Sequence, residues 1–467
     1  MSLASVLTAL GGNALNVALP QLVRQTNAGA AAASWILIAF QLTTTVLMVV
    51  FGRLADMFGR RTMYLAGLAT YTVASLLAGF APDAWLIVAL RVFQAAGTAM
   101  LLTNSAALVT DAFPRARLGE GMGIYTASFS IAQLFGPTVG GFFAEHLGWQ
   151  WVFWFNVPIG LLCLAWGVLV LPRGRVAGAE RGLDLPGNVL VLAGLGGLLL
   201  ALSEVTRLGW DHPLVVGGLI AFVLALPLFI FCEGTARHPV VDIRMFRDAS
   251  FALGTAASFL NSVARISVLF LVSLFYQAVR GEEPVSAALK LLPLSVAALA
   301  ASVLSGFLQR RLSPRTVTVV GASLTTAGLA GLLCTISATV AYAPLAAFLV
   351  LIGLGSGLFL PSNTTVLLDG ISSNRLGIVN AMRLMLQNTG GVVGTAMVLS
   401  VITVPVPAVL HDSVFAGTLS QVAPGSVADL VDGYRWALGC MTAVAALNVL
   451  TCLGRRRAGT ERIFTRG

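Results

Sequence analysis

The sequence has 467 residues, of which 57% are hydrophobic and only 10% are charged. A soluble protein carries about 25% charged residues, so this composition excludes a chain that covers its surface in water. The mean hydropathy is +0.89, and apolar runs of about 20 residues, the length that crosses a bilayer as a helix, recur throughout. The composition therefore predicts an all-α polytopic membrane protein.

The net charge of +9 does not indicate a nucleic-acid partner, because the basic residues lie in short loops between apolar runs. The five cysteines lie in or beside apolar runs without paired or metal-like spacing, so we interpret them as core residues. No metal cluster, nucleophile–base pair or phosphate-binding loop is evident in the sequence. We therefore expect neither an enzyme nor a cofactor.

The apolar runs divide into fourteen predicted membrane spans with uncertain boundaries. In chain order the spans are 2–20, 32–51, 62–80, 84–108, 119–144, 151–171, 185–204, 213–232, 250–278, 285–307, 316–337, 342–367, 376–402 and 435–453.

The distribution of basic residues predicts the orientation of these spans. Twenty of the 28 lysine and arginine residues lie in loops after even-numbered spans or in the C-terminal tail. Four lie in the opposite loops, and four fall within spans. Since cytoplasmic loops carry an excess of lysine and arginine, both termini are predicted to be cytoplasmic.

An internal repeat relates the first and last parts of the chain. The pattern Asp, five residues, Arg-Leu-Gly occurs at 111–119 and again 258 residues later. At an offset of 254, GPTVGG (136–141) matches GGVVGT, and GRLADMFGRR (52–61) matches the eroded GFLQRRLSPR. Three matches in the same order predict two six-helix halves in the same orientation, a transporter device. The alternative is that the first pattern is a generic loop.

This repeat predicts three segments. Residues 1–172 form an N-terminal six-helix bundle, and residues 173–248 hold two inserted helices and linkers. Residues 249–467 form a second six-helix bundle with a basic cytoplasmic tail.

The loop after span two, GRLADMFGRRT (52–62), combines two glycines, one acid and three arginines. The glycines permit a tight reversal, and an acid near the start of span three is favoured by the helix dipole and by pairing with arginine. We predict a gating latch between the halves, and the alternative is a basic loop that only sets topology. Its residues are Gly52, Arg53, Asp56, Gly59, Arg60 and Arg61.

Span five contains AQLFGPTVGG (132–141) in the middle of an apolar run. Gly136 and Gly140 share a helix face, so a neighbouring helix can approach closely. Pro137 removes one hydrogen bond and predicts a kink. We predict that this contact favours one conformer of a moving pair, and the alternative is a motif for packing alone. The full motif is Gly123, Gly136, Pro137, Gly140 and Gly141.

Polar residues in or at the edges of spans are predicted to line a substrate or coupling cavity. A lone arginine such as Arg91 costs ~2.5 kcal/mol or more inside a bilayer, so it should face a cavity or a partner. Alternatively, Arg91 and Lys290 extend to the membrane surface, and some amides only join neighbouring helices. The candidates are Asn16, Gln41, Arg91, Gln94, Gln133, Asn261, Arg265, Lys290, Arg383 and Gln387, together with Asn363.

Several of these stretches resemble the signatures of the major facilitator superfamily, in particular its 14-helix drug:proton antiporter branch. The loop at 52–61 resembles Gly-x-Leu-Ala-Asp-x-x-Gly-Arg-Arg, and LRVFQAAGTA (90–99) resembles Arg-x-x-Gln-Gly-x-Gly with Ala95 replacing the first glycine. The motif of span five resembles the antiporter signature, with Ala132 at its second glycine. NVALP (16–20), WILIAF (35–40) and GWQWVFWFNVPIG (148–160) also resemble family stretches.

The resemblance implies a major facilitator fold with 14 transmembrane helices arranged as six, two and six. It implies a cell-membrane efflux transporter that exports a small amphipathic drug, antibiotic or metabolite by alternating access, coupled to proton entry. The implied partners are a small-molecule substrate, protons and the lipid bilayer, for a monomer without cofactor or metal. The alternative is an importer or facilitator of an anionic or neutral solute on the same fold.

One departure from the family pattern concerns coupling. Family members carry Leu-Asp-x-Thr-x-x-Asn-Val-Ala-Leu-Pro in span one, and here LGGNALNVALP (10–20) has Gly11 at the aspartate position. No acid lies mid-span by the predicted boundaries, whereas four cations do. This distribution favours an anionic or neutral polar substrate over a cationic drug. The proton carrier stays open among Glu204, Glu145 and Lys290.

Overall fold

The structure is a computed structural model. It describes residues 2–26, 30–114, 117–171, 185–235, 243–282, 284–368, 376–407, 410, 414 and 419–454. Within these ranges the chain forms seventeen α-helices, two short 3-10 helices and no strand.

The helices α1 to α17 are, in chain order, Ser2–Gln25, Ala30–Phe58, Arg60–Ala78, Ala84–Ala112, Leu118–His146, Trp151–Trp154, Asn156–Val170, Leu185–Leu208, Pro213–Thr235, Ala249–Ala278, Pro284–Leu289, Leu292–Leu308, Pro314–Thr335, Tyr342–Leu368, Leu376–Ile402, Leu419–Val422 and Val427–Gly454. The 3-10 helices are Ile243–Arg247 and Pro424–Ser426.

Each predicted span coincides with one helix or with a consecutive pair of helices. Span six is divided into α6 and α7, and span ten into α11 and α12. Ten helical segments in the described ranges are long and apolar enough to cross a membrane by length and composition. The chain is therefore all-helical and multi-pass, and a full count of fourteen crossings stays a prediction.

The predicted loop at 52–62 is mostly helical, so this boundary was wrong. Helix α2 continues to Phe58, and Gly52 is buried within it. The chain reverses at Gly59 alone, where φ is 93°, a left-handed conformation that glycine adopts without strain. The apolar run ends near position 51, but backbone hydrogen bonding carries the helix through the charged residues that follow.

The chain divides into two compact units. Unit 1 comprises 1–204, 208–243 and 370–385, and unit 2 comprises 205–207, 244–369 and 386–467. The inserted helices α8 and α9 thus belong to unit 1, as does the first part of α15. The predicted division into three segments is not tested by this clustering and stays a prediction.

Each unit has its own apolar core. In unit 1, Leu15, Leu22 and Ile36 are fully buried together with Phe153. In unit 2, a larger core joins α10, α13, α14 and α17, with fully buried Phe275, Leu349 and Tyr434.

The close helix contacts of unit 1 recur in unit 2 at the offsets of the sequence repeat. A β-carbon added to Gly140 on α5 would lie 2.6 Å from Cα of Ala14 on α1. In unit 2, one added to Gly394 on α15 would lie 2.9 Å from Cα of Val263 on α10. Gly140 and Gly394 are 254 residues apart, so the fifth helix packs on the first through a glycine in both units.

The third and fourth helices show the same recurrence. A β-carbon on Gly97 of α4 would lie 2.8 Å from the carbonyl oxygen of Gly67 on α3. One on Gly355 of α14 would lie 2.6 Å from the carbonyl oxygen of Gly321 on α13. Small residues let helix backbones approach closely, which drives helix association in lipid.

An arginine at the start of the third helix also recurs. The Nη2 of Arg61 donates to the carbonyl oxygen of Val168, 2.8 Å away in the last turn of α7. In unit 2 the Nη2 of Arg315 donates to the carbonyl oxygen of Leu453, also 2.8 Å away, in the last turn of α17. Carbonyl groups in the last turn of a helix lack intrahelical partners, so each arginine satisfies one.

We predict that Gly140→Ala and Gly394→Ala each lower the unfolding temperature in detergent. The added methyl group meets the backbone of α1 or α10, and overpacking of this kind costs about 1–3 kcal/mol. The matched control is Gly439→Ala on α17, where an added β-carbon meets nothing within 4 Å. This control should be neutral or stabilising by up to about 1 kcal/mol. Equal effects at all three positions would contradict the close contacts.

Candidate functional site

Arg91 is the largest fully buried side chain of the described structure, with 1% of its surface exposed. Its Nε donates to the carbonyl oxygen of Ile36 at 3.3 Å, and its Nη1 donates to Oε1 of Gln94 at 2.7 Å. The guanidinium also lies over the ring of Phe40, 3.9 Å from its centroid. Arg91 on α4 is therefore held by α2, and it does not extend to the membrane surface.

A chain of hydrogen bonds continues from Arg91 to α3. Nε2 of Gln94 donates to Oγ of Ser75 at 2.8 Å, and that hydroxyl donates to the carbonyl oxygen of Tyr71 at 2.7 Å. Gln94 and Ser75 are 1% and 0% exposed. The chain joins three helices through one buried charge, and we call these residues, Arg91, Gln94 and Ser75 with Ile36 and Phe40, the Arg91 network.

Tyr71 explains the glycine at position 11. The Tyr71 side chain is fully buried, and its hydroxyl donates to the carbonyl oxygen of Leu7 on α1 at 3.4 Å. A β-carbon added to Gly11 would collide with this hydroxyl and would lie 3.3 Å from Oδ1 of Asn156. Any side chain at position 11 therefore requires the Tyr71 hydroxyl to move.

Arg383 lies in the part of α15 that belongs to unit 1 and is 6% exposed. Its Nε and Nη2 donate to Oδ1 of Asn380 at 3.3 and 3.0 Å. Nδ2 of Asn380 in turn donates to the carbonyl oxygen of Thr103 on α4 at 2.7 Å. Arg383 thus has an amide three residues away on its own helix, as Arg91 does.

Arg265 and Asn261 on α10 are different, because no described protein group forms a hydrogen bond with the Nε of Arg265 or with the side-chain amide of Asn261. Asn261 is 1% exposed, and neither its Oδ1 nor its Nδ2 has a hydrogen-bond partner. One turn later, the buried Nε of the half-buried Arg265 has no partner either. The Oγ of Ser262 is also buried without a partner. These three residues place three donor atoms and the amide oxygen of Asn261 near the middle of a membrane-spanning helix, and we call them the α10 polar cluster.

Asn363, by contrast, is satisfied within unit 2. Its Nδ2 donates to Oγ of Ser258 at 2.7 Å and to the carbonyl oxygen of Gly254 at 3.2 Å, both on α10. Asn363 therefore joins α14 to α10.

Lys290 lies in the turn between α11 and α12, so it does not sit inside a helix as the predicted span required. It forms an ion pair with Glu282, and its Nζ lies 4.3 Å from the ring centroid of Tyr276. Burial raises the pKa of the Glu282 carboxyl, but hydrogen bonds from Lys290 and Ser286 outweigh it and hold that pKa below its usual value. The pair therefore stabilises the fold at neutral pH, and this contribution is lost as the pH falls through the lowered pKa.

The other residues predicted for the cavity, the span-five motif and the proton carrier differ in their burial. Gln41 is exposed, and Gln387 is half-buried. The side chains of Asn16, Gln133 and Pro137 lie outside the described part of the structure, although α5 runs unbroken through position 137. The side chain of Glu145 lies outside it too. Glu204 on α8 is 1% exposed.

The sequence analysis missed Ser75, Tyr71 and Asn380. Hydroxyls and a lone amide in apolar runs gave no separate signal. An amide three residues from an arginine within a span is the pattern that identifies Asn380, because Arg91 and Gln94 show it in the opposite order. Among the described residues, no group of three histidine, cysteine or acidic side chains could hold a metal ion.

An all-helical chain with ten apolar helices of spanning length is a multi-pass membrane protein. Its two units repeat the same helix contacts, which is how many transporters are built. The family model of the Major Facilitator Superfamily matches residues 1–395, so the chain belongs to that superfamily.

Several relatives of the chain are named for resistance to an antibiotic or to several drugs. The tetracenomycin C resistance and export protein of Streptomyces glaucescens is 29% identical over 455 residues, covering 97% of this chain and 83% of the relative. The puromycin resistance protein of Streptomyces alboniger is 30% identical over 468 residues, covering 98% and 91%. These names support an efflux transporter.

Solved structures agree on the fold. The human transporter MFSD10, titled an organic anion transporter, superposes with a TM-score of 0.65 at 15% identity, and the match covers 97% of each chain. At this identity the likeness establishes the fold alone.

We predict that Arg91→Lys destabilises the folded protein by about 1.5–3 kcal/mol, the range for hydrogen bonds to a charged group. Lysine keeps the charge but cannot donate from two directions while stacking on Phe40. Thermal unfolding in detergent measures the effect. The control is Arg435→Lys, at an exposed pair with Asp432 (3.0 Å), where we expect less than about 1 kcal/mol. An Arg91→Lys protein as stable as the control variant would show that the network is not structural.

Proposed function

We propose that this chain exports anionic or polar neutral compounds across the cell membrane in exchange for protons. The observation that carries the proposal is the α10 polar cluster. Arg265 and Asn261 hold N–H donors in a membrane-spanning helix without a protein acceptor. Arg91 and Arg383, in contrast, are hydrogen-bonded to side-chain amides.

The chemistry of the cluster favours an acceptor-rich substrate. An intramembrane ionisable residue is expensive, and it marks a substrate or ion pathway unless a partner neutralises it. A carboxylate or phenolate oxygen can accept hydrogen bonds from the half-buried guanidinium of Arg265, and such charge-assisted bonds are the strong ones. A cationic drug would instead meet like charge at Arg265.

Burial supports Glu204 as the proton carrier. Among the acids whose side chains are described, only Glu204 and Glu233 are buried, at 1% and 4% exposure. Lys290 is paired with Glu282, which leaves it a poor carrier. Glu204 lies at the end of α8 opposite the arginine-rich loops, where external protons would enter.

The remaining features of the proposal follow the sequence. Positive-inside bias supports cytoplasmic termini. A helix at every predicted span supports fourteen crossings arranged as six, two and six. We also propose that the transporter is a monomer. Asp56, with its arginines, is proposed as the gate, and the glycines around Gly140 as the contact that favours export. Import remains the alternative direction, and the names of the relatives favour export.

The substrate test is an efflux panel in a host that lacks its own pumps. Arg265→Gln should raise the KM for anionic compounds about tenfold, because a hydrogen bond to a charged group contributes about 1.5–3 kcal/mol. The KM for neutral compounds should change much less. Arg435→Gln, at an exposed position, is the matched control. Strong export of ethidium-like cations by the wild-type protein, with anions ignored, would contradict the proposal.

The coupling test compares two buried glutamates. Glu204→Gln should abolish transport driven by a pH gradient in proteoliposomes, while exchange of labelled for unlabelled substrate continues without a gradient. Glu233→Gln should retain gradient-driven transport. Retained gradient-driven transport in Glu204→Gln would remove Glu204 from the proton pathway.

A further inference from the structure

A groove with a volume of about 350 Å³ lies between α3 and α7 in unit 1. It lies outside the Arg91 network and the α10 polar cluster. Its wall is formed by Tyr64 of α3 and by Leu162, Cys163, Trp166 and Val170 of α7. A volume of this size lies at the lower end of the range for small-molecule sites.

The long wall of the groove faces the lipid phase. Leu162, Trp166 and Val170 are 59%, 66% and 58% exposed. Only 28% of the spanning segment Trp151–Val170 is buried inside the protein. Apolar side chains exposed along a membrane-spanning helix contact acyl chains, so the occupant of this groove has an apolar part that enters from the bilayer.

One end of the groove is cationic. Arg61 lies three residues before Tyr64 on α3, so both side chains are on the same face. Its Nη2 donates to the carbonyl oxygen of Val168 at 2.8 Å, and this bond fixes the guanidinium beside the last turn of α7. The Arg61 side chain is only partly buried. A fixed cation therefore lies next to the last turn of α7, whose residues Gly167 and Val170 line the groove.

We propose that this groove binds one anionic phospholipid, with an acyl chain along Trp166 and the phosphate group beside the guanidinium of Arg61. Guanidinium groups match phosphate in geometry and charge. Basic pockets between membrane helices bind anionic headgroups. The bilayer supplies this ligand at the open side of the groove. An amphipathic transport substrate shares the chemistry, and the experiment distinguishes it.

The test is tryptophan quenching in nanodiscs of phosphatidylcholine that contain a minor fraction of lipid with brominated acyl chains. The brominated lipid is either phosphatidylglycerol or phosphatidylcholine. The difference between the unmodified protein and Trp166→Phe gives the quenching at Trp166. The same difference with Trp436→Phe serves as the control, because Trp436 is also exposed, at 54%, and lies on α17 in unit 2.

We expect brominated phosphatidylglycerol to quench Trp166 about fivefold more effectively than brominated phosphatidylcholine, which corresponds to one arginine near an anionic lipid. Arg61→Gln should abolish this preference. Arg315→Gln, which removes the equivalent carbonyl contact in unit 2, should leave it intact. Cys163→Phe, which places a larger side chain in the wall of the groove, should also abolish the preference.

Three results would overturn the proposal. Equal quenching by both lipids would make the occupant an annular lipid only. A preference that survives Arg61→Gln would remove the headgroup contact. Relief of quenching by a transported compound, at concentrations that support transport, would assign the groove to substrate.

Discussion

The buried guanidinium of Arg91 constrains much of unit 1. A charge in the middle of a membrane protein is costly unless other groups neutralise or hydrogen-bond it. Here the carbonyl oxygen of Ile36, the amide of Gln94 and the ring of Phe40 surround it. Gln94 then binds Ser75, so α2, α3 and α4 must keep their relative positions to keep the charge satisfied. A transporter that moves large bodies needs each body to be rigid, and this network supplies rigidity within one of them.

Glycine contacts provide the second constraint. Lipid chains are as apolar as leucine, so helices in a bilayer associate through close packing rather than through the hydrophobic effect. Gly140 against Ala14 and Gly97 against Gly67 bring backbones together in unit 1. The matching contacts in unit 2 show that the weak sequence repeat has a physical basis. Gly140 and Gly97 each have a counterpart in unit 2 at which a β-carbon would also collide.

Much of the fold could be predicted from the sequence, because hydrophobic length and small-residue motifs depend on local physics. Every predicted span coincides with helix, and Gly140 of span five packs closely on α1. The predicted end of span two was wrong, because helical hydrogen bonding in α2 continues beyond the last hydrophobic residue. The prediction placed Lys290 inside a span because composition does not reveal the break between α11 and α12. That break puts Lys290 in a turn, where it pairs with Glu282.

The site was less predictable, since it depends on which polar residues find partners. Sequence treats Arg91, Arg265 and Arg383 alike as cations within spans. The structure separates them, because Gln94 and Asn380 bind two of these arginines and no protein group binds the third. Tyr71 likewise explains Gly11 only after α1 and α3 are packed together. Partner assignment across helices is a tertiary property, and no local pattern encodes it.

Proton-driven export is the central claim, and transport by inside-out membrane vesicles tests it directly. In such vesicles the cytoplasmic face is outside, so an exporter moves an added anionic substrate into the lumen. We expect the substrate to accumulate when the lumen is made acidic, and we expect accumulation to be lost when the pH gradient is dissipated. Accumulation only in right-side-out vesicles, or accumulation indifferent to the gradient, would contradict it.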